Sequence, residues 1–434
     1  MEVHVKKNQK ILLFTTIIFF IVAAACTSQP EEHPDQVYAA YDNLLDFEIS
    51  EEALQDDTIN DNANAESVAQ ENDPQYEDIS VEVSLPDNFK DFITDFVFLE
   101  WGVTVLESQD NILWATRIGS DNPGELWVPT WRTGDLLKST DHGESWTLIY
   151  EFAKPVNAIY ADDFGNIFVT VTYDRWASVG TGELHKSSDG GRTFRKVLDI
   201  ESGVPLRWNI ASRNGTMFVS EYGFKGVGNN ARRIYRSLDF GESWEVVFEP
   251  APINNYHHHA TVITEDGTVY QSIGDWGNSK IIRSLDNGYN WETVALGLHP
   301  TSALVFENHI LWGMDGGPWY GVARYDRHTG DISRALVVPQ PFASSCYDMA
   351  IAHGIVYALF LSYGGYEHPG SIFFSDDEGV TWNLMGYIEK LPQFGVGLYN
   401  LVVDERFGYI EIETPFYKDG EWSFFWGTLR FELL

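Results

Sequence analysis

From about residue 96 onward the chain is written in short apolar segments separated by turns, and no stretch keeps a helical period. The segments come in sets with a constant order. An apolar run opens each set, such as Val156 to Tyr160 or Thr261 to Thr264. A tight turn follows, as in Asp163-Phe164-Gly165-Asn166, Arg213-Asn214-Gly215-Thr216 and Glu265-Asp266-Gly267-Thr268. Asn-Gly and Asp-Gly accept the positive φ values that two-residue hairpins need. A second run comes next: Ile167 to Val171, Met217 to Ser220, Val269 to Ser272, or Ile355 to Phe360. After a longer loop, a third run leads into an eight-residue phrase and a fourth leaves it, as Trp244 to Phe248 does.

That phrase is Ser237-Leu238-Asp239-Phe240-Gly241-Glu242-Ser243-Trp244. The wording S-x-D-x-G-x-[ST]-[WF] returns at Ser139 to Trp146, Ser187 to Phe194, Ser284 to Trp291 (with Asn290 in the Ser/Thr place) and Ser375 to Trp382. Its aspartates are Asp141, Asp189, Asp239, Asp286 and Asp377, with gaps of 48, 50, 47 and 91 residues. The last gap is nearly double, so one set is hidden in it; Arg324 to Gly330 keeps the aspartate, Asp326, and little else. Four strands per period with no helix between them is the pattern of a β-propeller blade. Units near 101–151, 155–200, 206–249, 258–296, 301–338, 345–388 and 397–432 predict an all-β propeller of seven four-stranded antiparallel blades. Six remain open if the first or last unit is a partial sheet. The strand-like Ile79 to Leu85 could close the ring by pairing with the last blade, removing an exposed edge.

Composition adds limits. The 434 residues are too many for one simple core unless the core is distributed over repeats. The formal net charge is −36, which argues against nucleic acid. Lys6, Lys7 and Lys10 precede an apolar run from Ile11 to Val22 and then Ala23-Ala24-Ala25-Cys26, an export signal over residues 1–25. Small residues directly before a cysteine resemble a bacterial lipobox, which implies lipid on Cys26 and a place in the cell envelope, anchored on the extracytoplasmic side of the membrane. Cys346 is then the only other cysteine, so no intramolecular disulfide is expected. Residues 27–89 hold 18 Asp and Glu and no Lys or Arg, so 26–89 reads as an acidic, extended tether. The remainder, 90–434, is the propeller, with 25 basic and 45 acidic residues; it is itself acidic, which disfavours a polyanionic substrate.

The recurring phrase resembles the Asp-box, or bacterial neuraminidase repeat. In that superfamily the boxes lie on turns between third and fourth strands, remote from the active face, so the resemblance implies structural roles for the five aspartates. Such propellers include sialidases, xyloglucan-degrading glycosidases, sortilin-type receptors and photosystem assembly factors, and fold alone does not choose among them. The Arg-Ile-Pro motif of sialidases is absent, which makes a sialidase-like exo-glycosidase the third-ranked reading. A further resemblance, to a group of bacterial Asp-box proteins, rests on Glu221-Tyr222, then His257-His258-His259, then Gly274-Asp275. It implies a site without naming a reaction.

If the boxes lie at one end of the blades, the loops at the other end gather aromatic and acidic residues. Among these are Trp176, Trp208, His257, His259, Trp276, Asp315, Trp319 and Tyr363, the expected ligand-binding set. Planar rings stack on sugars while acids take hydroxyl hydrogen bonds, although each aromatic alone is more readily explained by packing. Glu221, Tyr222, His258 and Asp275 are the candidate catalytic set. Two carboxylates could hydrolyse a glycosidic bond; a histidine with a tyrosine could abstract a proton, as in polysaccharide lyases; the histidines with Glu221 and Asp275 could hold a divalent metal. The alternative is that the run of three histidines does no more than cap a strand, since neighbours on a strand face opposite ways. The expected function is an anchored, monomeric propeller that binds, and by these chemistries could cleave, a glycan. The alternative is a non-enzymatic scaffold for an envelope protein.

Overall fold

The computed structural model describes the chain from Phe96 to Leu433, apart from residues 99–102, 106–123, 130–133, 173–180, 204, 224–230, 252–255, 275–278, 317–319, 340–341, 343, 361–369, 389–396 and 419–420. The leader, Cys26, the acidic stretch and Ile79 to Leu85 lie outside the described residues.

Two three-residue strands come first, β1 (Phe96–Phe98) and β2 (Val103–Val105). Blade 1 is β3 (Leu126–Pro129), β4 (Asp135–Ser139) and β5 (Thr147–Glu151). Blade 2 is β6 (Val156–Ala161), β7 (Ile167–Val171), β8 (Gly182–Ser187) and β9 (Arg195–Ile200). Blade 3 is β10 (Ile210–Arg213), β11 (Thr216–Ser220), β12 (Ile234–Ser237) and β13 (Glu245–Phe248), preceded by a 3-10 turn over Arg207–Asn209. Blade 4 is β14 (His258–Ile263), β15 (Val269–Ile273), β16 (Lys280–Ser284) and β17 (Glu292–Leu296). Blade 5 is β18 (Pro300–Val305), β19 (His309–Met314), β20 (Gly321–Asp326) and β21 (Ile332–Val337). Blade 6 is β22 (Cys346–Ala352), β23 (Ile355–Phe360), β24 (Ser371–Ser375) and β25 (Asn383–Ile388). Blade 7 is β26 (Gly397–Val403), β27 (Phe407–Lys418) and β28 (Glu421–Glu432). Seven antiparallel sheets result, an all-β seven-bladed propeller.

The core is distributed as the length requires. In blades 2 to 6 both faces of the second strand are buried, and alternate residues serve the two neighbouring blades. In β7, Ile167, Val169 and Val171 pack with Trp127 and Leu136 of blade 1, while Phe168 packs with Met217 and Val219 of blade 3. The same interleaving joins every adjacent pair, ending with Leu126 and Val128 of blade 1 against Val402 and Tyr409 of blade 7. Cys346 is buried in the joint between blades 5 and 6.

The ring is closed by the start of the chain. Strand β2 pairs with β28 as the outer strand of blade 7, and β1 adds a fifth strand to blade 6 beside β25. The sequence reading placed residues 101–105 at the start of blade 1; the structure gives β2 to blade 7, because β28 would otherwise leave an unpaired edge.

The repeated phrases form the hairpins between third and fourth strands. In blade 3, Ser237 Oγ donates to Asp239 Oδ1 (2.8 Å) and accepts from Gly241 N (2.8 Å), while Ser243 donates its amide to Oδ1 (2.8 Å) and its hydroxyl to Oδ2 (2.5 Å). The other four repeats copy this pattern, with the Asn290 amide standing in at Asp286. Gly241 has φ +77°, and a Cβ there would come 2.5 Å from Phe168 of the preceding blade. The phrase is therefore an interblade joint as well as a turn.

Strand alternation fixes the two ends of the blades. First-to-second and third-to-fourth turns share one end, the hairpin end; second-to-third loops and interblade links share the other, the loop end.

Candidate functional site

The first strand of each blade lines the axis. Five of them, β6, β14, β18, β22 and β26, carry a register shift against their partner near the loop end. A bulge adds a residue and re-aims side chains. The shifted stretches hold Asn157, His259, Thr301, Tyr347 and Asn400, so polar residues interrupt otherwise apolar strands there.

The three histidines obey strand alternation. His257 and His259 face the same way, with their Nε2 atoms 2.8 Å apart and ring centroids 4.7 Å apart. Tyr222 lies over both, 5.2 Å from His257 and 5.9 Å from His259 between centroids. Trp208 meets Tyr222 edge-on at 6.0 Å and Tyr347 at 5.3 Å. Tyr222, His257, His259, Trp208 and Tyr347 thus form one aromatic cluster drawn from blades 3, 4 and 6.

The cluster is held from behind. Asn209, fully buried, donates from Nδ2 to His258 O (3.0 Å), His259 O (2.9 Å) and Ser220 Oγ (3.1 Å). Gln271 donates from Nε2 to His259 O (3.2 Å), Ala260 O (3.3 Å) and Ser272 O (2.8 Å), and Thr261 donates to its Oε1 (2.7 Å). The bulge thereby has its carbonyls satisfied without water.

The remaining candidates go elsewhere. His258 turns into the blade against Tyr256 and Phe248. Burial pushes its pKa down to about 3, so the ring is neutral. Glu221 is fully buried; its carboxylate accepts the amides of Ser202, Arg232 and Arg233 (3.2, 3.0 and 3.0 Å) and the Tyr235 hydroxyl (2.7 Å). Desolvation raises its pKa, with those donors and the Arg233 charge opposing. The structure therefore does not bring the side chains of Glu221 and His258 together with the His257–His259–Tyr222 group. Asp315 stands at the loop end of blade 5, its amide on His299 O (3.3 Å). Asp275, Trp176, Trp276, Trp319 and Tyr363 lie outside the described residues. No group of three or more His, Cys, Asp and Glu among the described residues is placed to hold a metal ion.

One feature escaped the sequence reading. Arg207 reaches from the 3-10 turn of blade 3 to Asp348 on β22 of blade 6, an ion pair across the axis. Asp348 also accepts Leu401 N of blade 7 at Oδ2 (2.7 Å) and Met349 N at Oδ1 (2.9 Å). Burial pushes its carboxyl up, against the Arg207 charge and the two amides. Arg207, Trp208 and Asp348 border an axial cavity of about 370 Å³, walled by Ile159, Val262, Met349 and Leu401. An aspartate inside an inner strand was the available signal, but its partner lies 141 residues away.

No family model matches the chain. Among curated proteins, a xyloglucanase of Acetivibrio thermocellus is 22% identical over 224 residues, covering 45% of this chain and 26% of the relative. A xyloglucanase of Paenibacillus sp is 24% identical over 263 residues, covering 46% and 25%. The match thus spans about a quarter of the length of these relatives. Among solved structures, a GH74 xyloglucanase from Xanthomonas campestris has a TM-score of 0.50 at 14% identity, covering 75% of this chain and 55% of that one. A streptogramin B lyase has a TM-score of 0.51 at 15% identity, covering 79% and 99%. Likeness at these identities shows the fold alone.

Proposed function

We propose that this chain is a lipid-anchored, extracytoplasmic propeller that binds a glycan at the loop end of its blades. The observation that carries the reading is the cluster of Trp208, Tyr222 and Tyr347 around the His257–His259 pair at the axis. Three rings meet edge-on there, a platform on which the faces of sugar rings can stack, with imidazole nitrogens beside it for hydroxyl groups. The weak likeness to xyloglucanases supports a polysaccharide as ligand. The resemblance of the hairpins to Asp-boxes supports a scaffold role for that end and leaves the loop end for the ligand.

A glycan array and calorimetric titration of residues 90–434 test this. Saturable binding to a neutral or weakly charged glycan is expected, weakened about three- to tenfold by Trp208→Ala or Tyr222→Ala, since stacked aromatics contribute on the order of 0.5–1.5 kcal/mol each. Binding to no glycan, with a protein partner recovered instead from envelope extracts, would replace the reading by that of a scaffold. Cleavage is a second reading that the His257–His259–Tyr222 grouping favours, because an imidazole beside a phenol suits proton transfer. It predicts release of reducing ends or of unsaturated products from the bound glycan, abolished in His259→Gln.

A further inference from the structure

We propose that His257 and His259 are a chelating pair for a transition-metal ion of the zinc, nickel or copper type. This goes beyond glycan binding and does not depend on it. Alternate residues of an extended segment share a face, and His-x-His uses that rule to bring two ligating nitrogens together, Nε2 to Nε2, at 2.8 Å. Both rings are buried, and their backbone is fixed from three directions. His257 O accepts Gly274 N at 2.7 Å, while His259 O accepts both Asn209 and Gln271. Such fixing of the backbone is what preorganises a metal site.

Two neutral imidazoles at this distance have one arrangement without an ion, in which one Nε2–H donates to the other. A divalent ion takes both lone pairs at once. With metal–nitrogen bonds of about 2.0–2.1 Å, a tetrahedral ion holds two ligands about 3.3 Å apart, so the rings need part by only roughly half an ångström. Imidazole ligands select zinc, nickel and copper over magnesium and calcium. Among the described residues no third His, Cys, Asp or Glu joins the pair. An ion with open positions beside Tyr222 and Trp208 can polarise an oxygen of whatever binds there.

The test uses the full chain, stripped of metal with chelator and desalted, titrated with zinc chloride at pH 7.5 by calorimetry. Saturable binding of one ion per chain is expected, with a melting temperature that rises with zinc concentration, as binding to the native state demands. His257→Gln and His259→Gln should each weaken binding at least about tenfold, the loss that even a partner behind the ligands brings. His328→Ala, at an exposed turn of blade 5, should leave affinity unchanged. Protons compete for the same nitrogens, so affinity should fall as pH is lowered. Cobalt(II) gives a second readout on wild-type protein, with visible absorption of nitrogen-ligated cobalt expected. Absence of saturable zinc binding, absence of that absorption, or zinc binding that survives both substitutions would overturn the proposal. Glycan binding measured both in excess chelator and with added zinc separates the two readings: its presence when zinc fails to bind sinks the metal site alone, and its absence under both conditions when zinc binds sinks the glycan reading alone.

Discussion

Asn209 has two amide hydrogens and one carbonyl oxygen, and the fold uses all of them: three acceptors share the hydrogens, and Leu206 N donates to Oδ1 at 2.9 Å. Asn209→Ala removes the side-chain partner of the His258 carbonyl and of the Leu206 amide and leaves the His259 carbonyl to Gln271, so denaturant unfolding should show a loss of about 1–3 kcal/mol. Asn209→Asp should cost more, because a carboxylate would face the carbonyls of His258 and His259. Arg207 and Asp348 behave as a unit. Arg207→Met leaves a buried carboxylate uncompensated, a loss of about 3–5 kcal/mol by comparison with other buried pairs. Arg207→Met combined with Asp348→Asn should recover part of that loss, and a double-mutant cycle measures how much. The repeat aspartates give the protein an acid limit. Donation from the hydroxyl four residues on holds Asp141, Asp189 and Asp377 down to about 2 and lowers Asp239, and the Asn290 amide lowers Asp286. Carboxyls that are more acidic folded than unfolded stabilise fully above the unfolded pKa, about 4, and lose that contribution as pH falls toward 2. Their contribution to the melting temperature should therefore be level above about pH 5 and drop between about pH 4 and pH 2. Replacing several of the five by asparagine should flatten that drop; an unchanged slope would count against them as its cause.

At the scale of elements, the bulges set which residues of the inner strands meet at the axis, and they show where sequence reading stops. The blades were legible because strand, Gly-containing turn and phrase recur at a constant spacing, and every blade boundary rests on that repetition. The phase of a strand is another matter. Strand alternation says that His258 differs from His257 and His259, but a slip of one residue exchanges the two faces, and only pairing with β15 decides that His258 goes inward. Glu221-Tyr222 shows the same limit, since the notable acid is taken up by backbone amides while its plainer neighbour joins the cluster. The segment Ile79 to Leu85, which could close the ring by its sequence, lies outside the described residues; β2 pairs with β28 through three residues that have no turn signal or repeat around them. A chain beginning at residue 106 therefore should lose the outer strand of blade 7. Compared with residues 90–434, it should melt at least about 4 °C lower, with faster amide exchange along β28; equal melting would mean that β2 is dispensable.

For the whole molecule, seven similar blades distribute the core so evenly that asymmetry enters at few places: the 3-10 turn in blade 3, the Arg207–Asp348 pair and the seam. The first two are set by contacts between residues far apart in sequence, which no local pattern announces. The seam has a mechanical meaning. Phe96 pairs with Ile388 and Val103 with Phe431, so β1 runs from the loop end toward the hairpin end and β2 returns. A pull on the chain ahead of Phe96 therefore drags β1 along β25 and then strips β2 from β28, before any tension reaches an axial strand. In a tweezers experiment on the full chain, pulled from its two termini, the first rupture should free about ten residues, roughly 35 Å of contour, with the rest of the ring yielding at a later step. If the N-terminus is fastened to a surface by lipid, these six paired residues are a mechanical fuse: they give way first, and the strands carrying Trp208, Tyr222 and the histidines do not feel the tug.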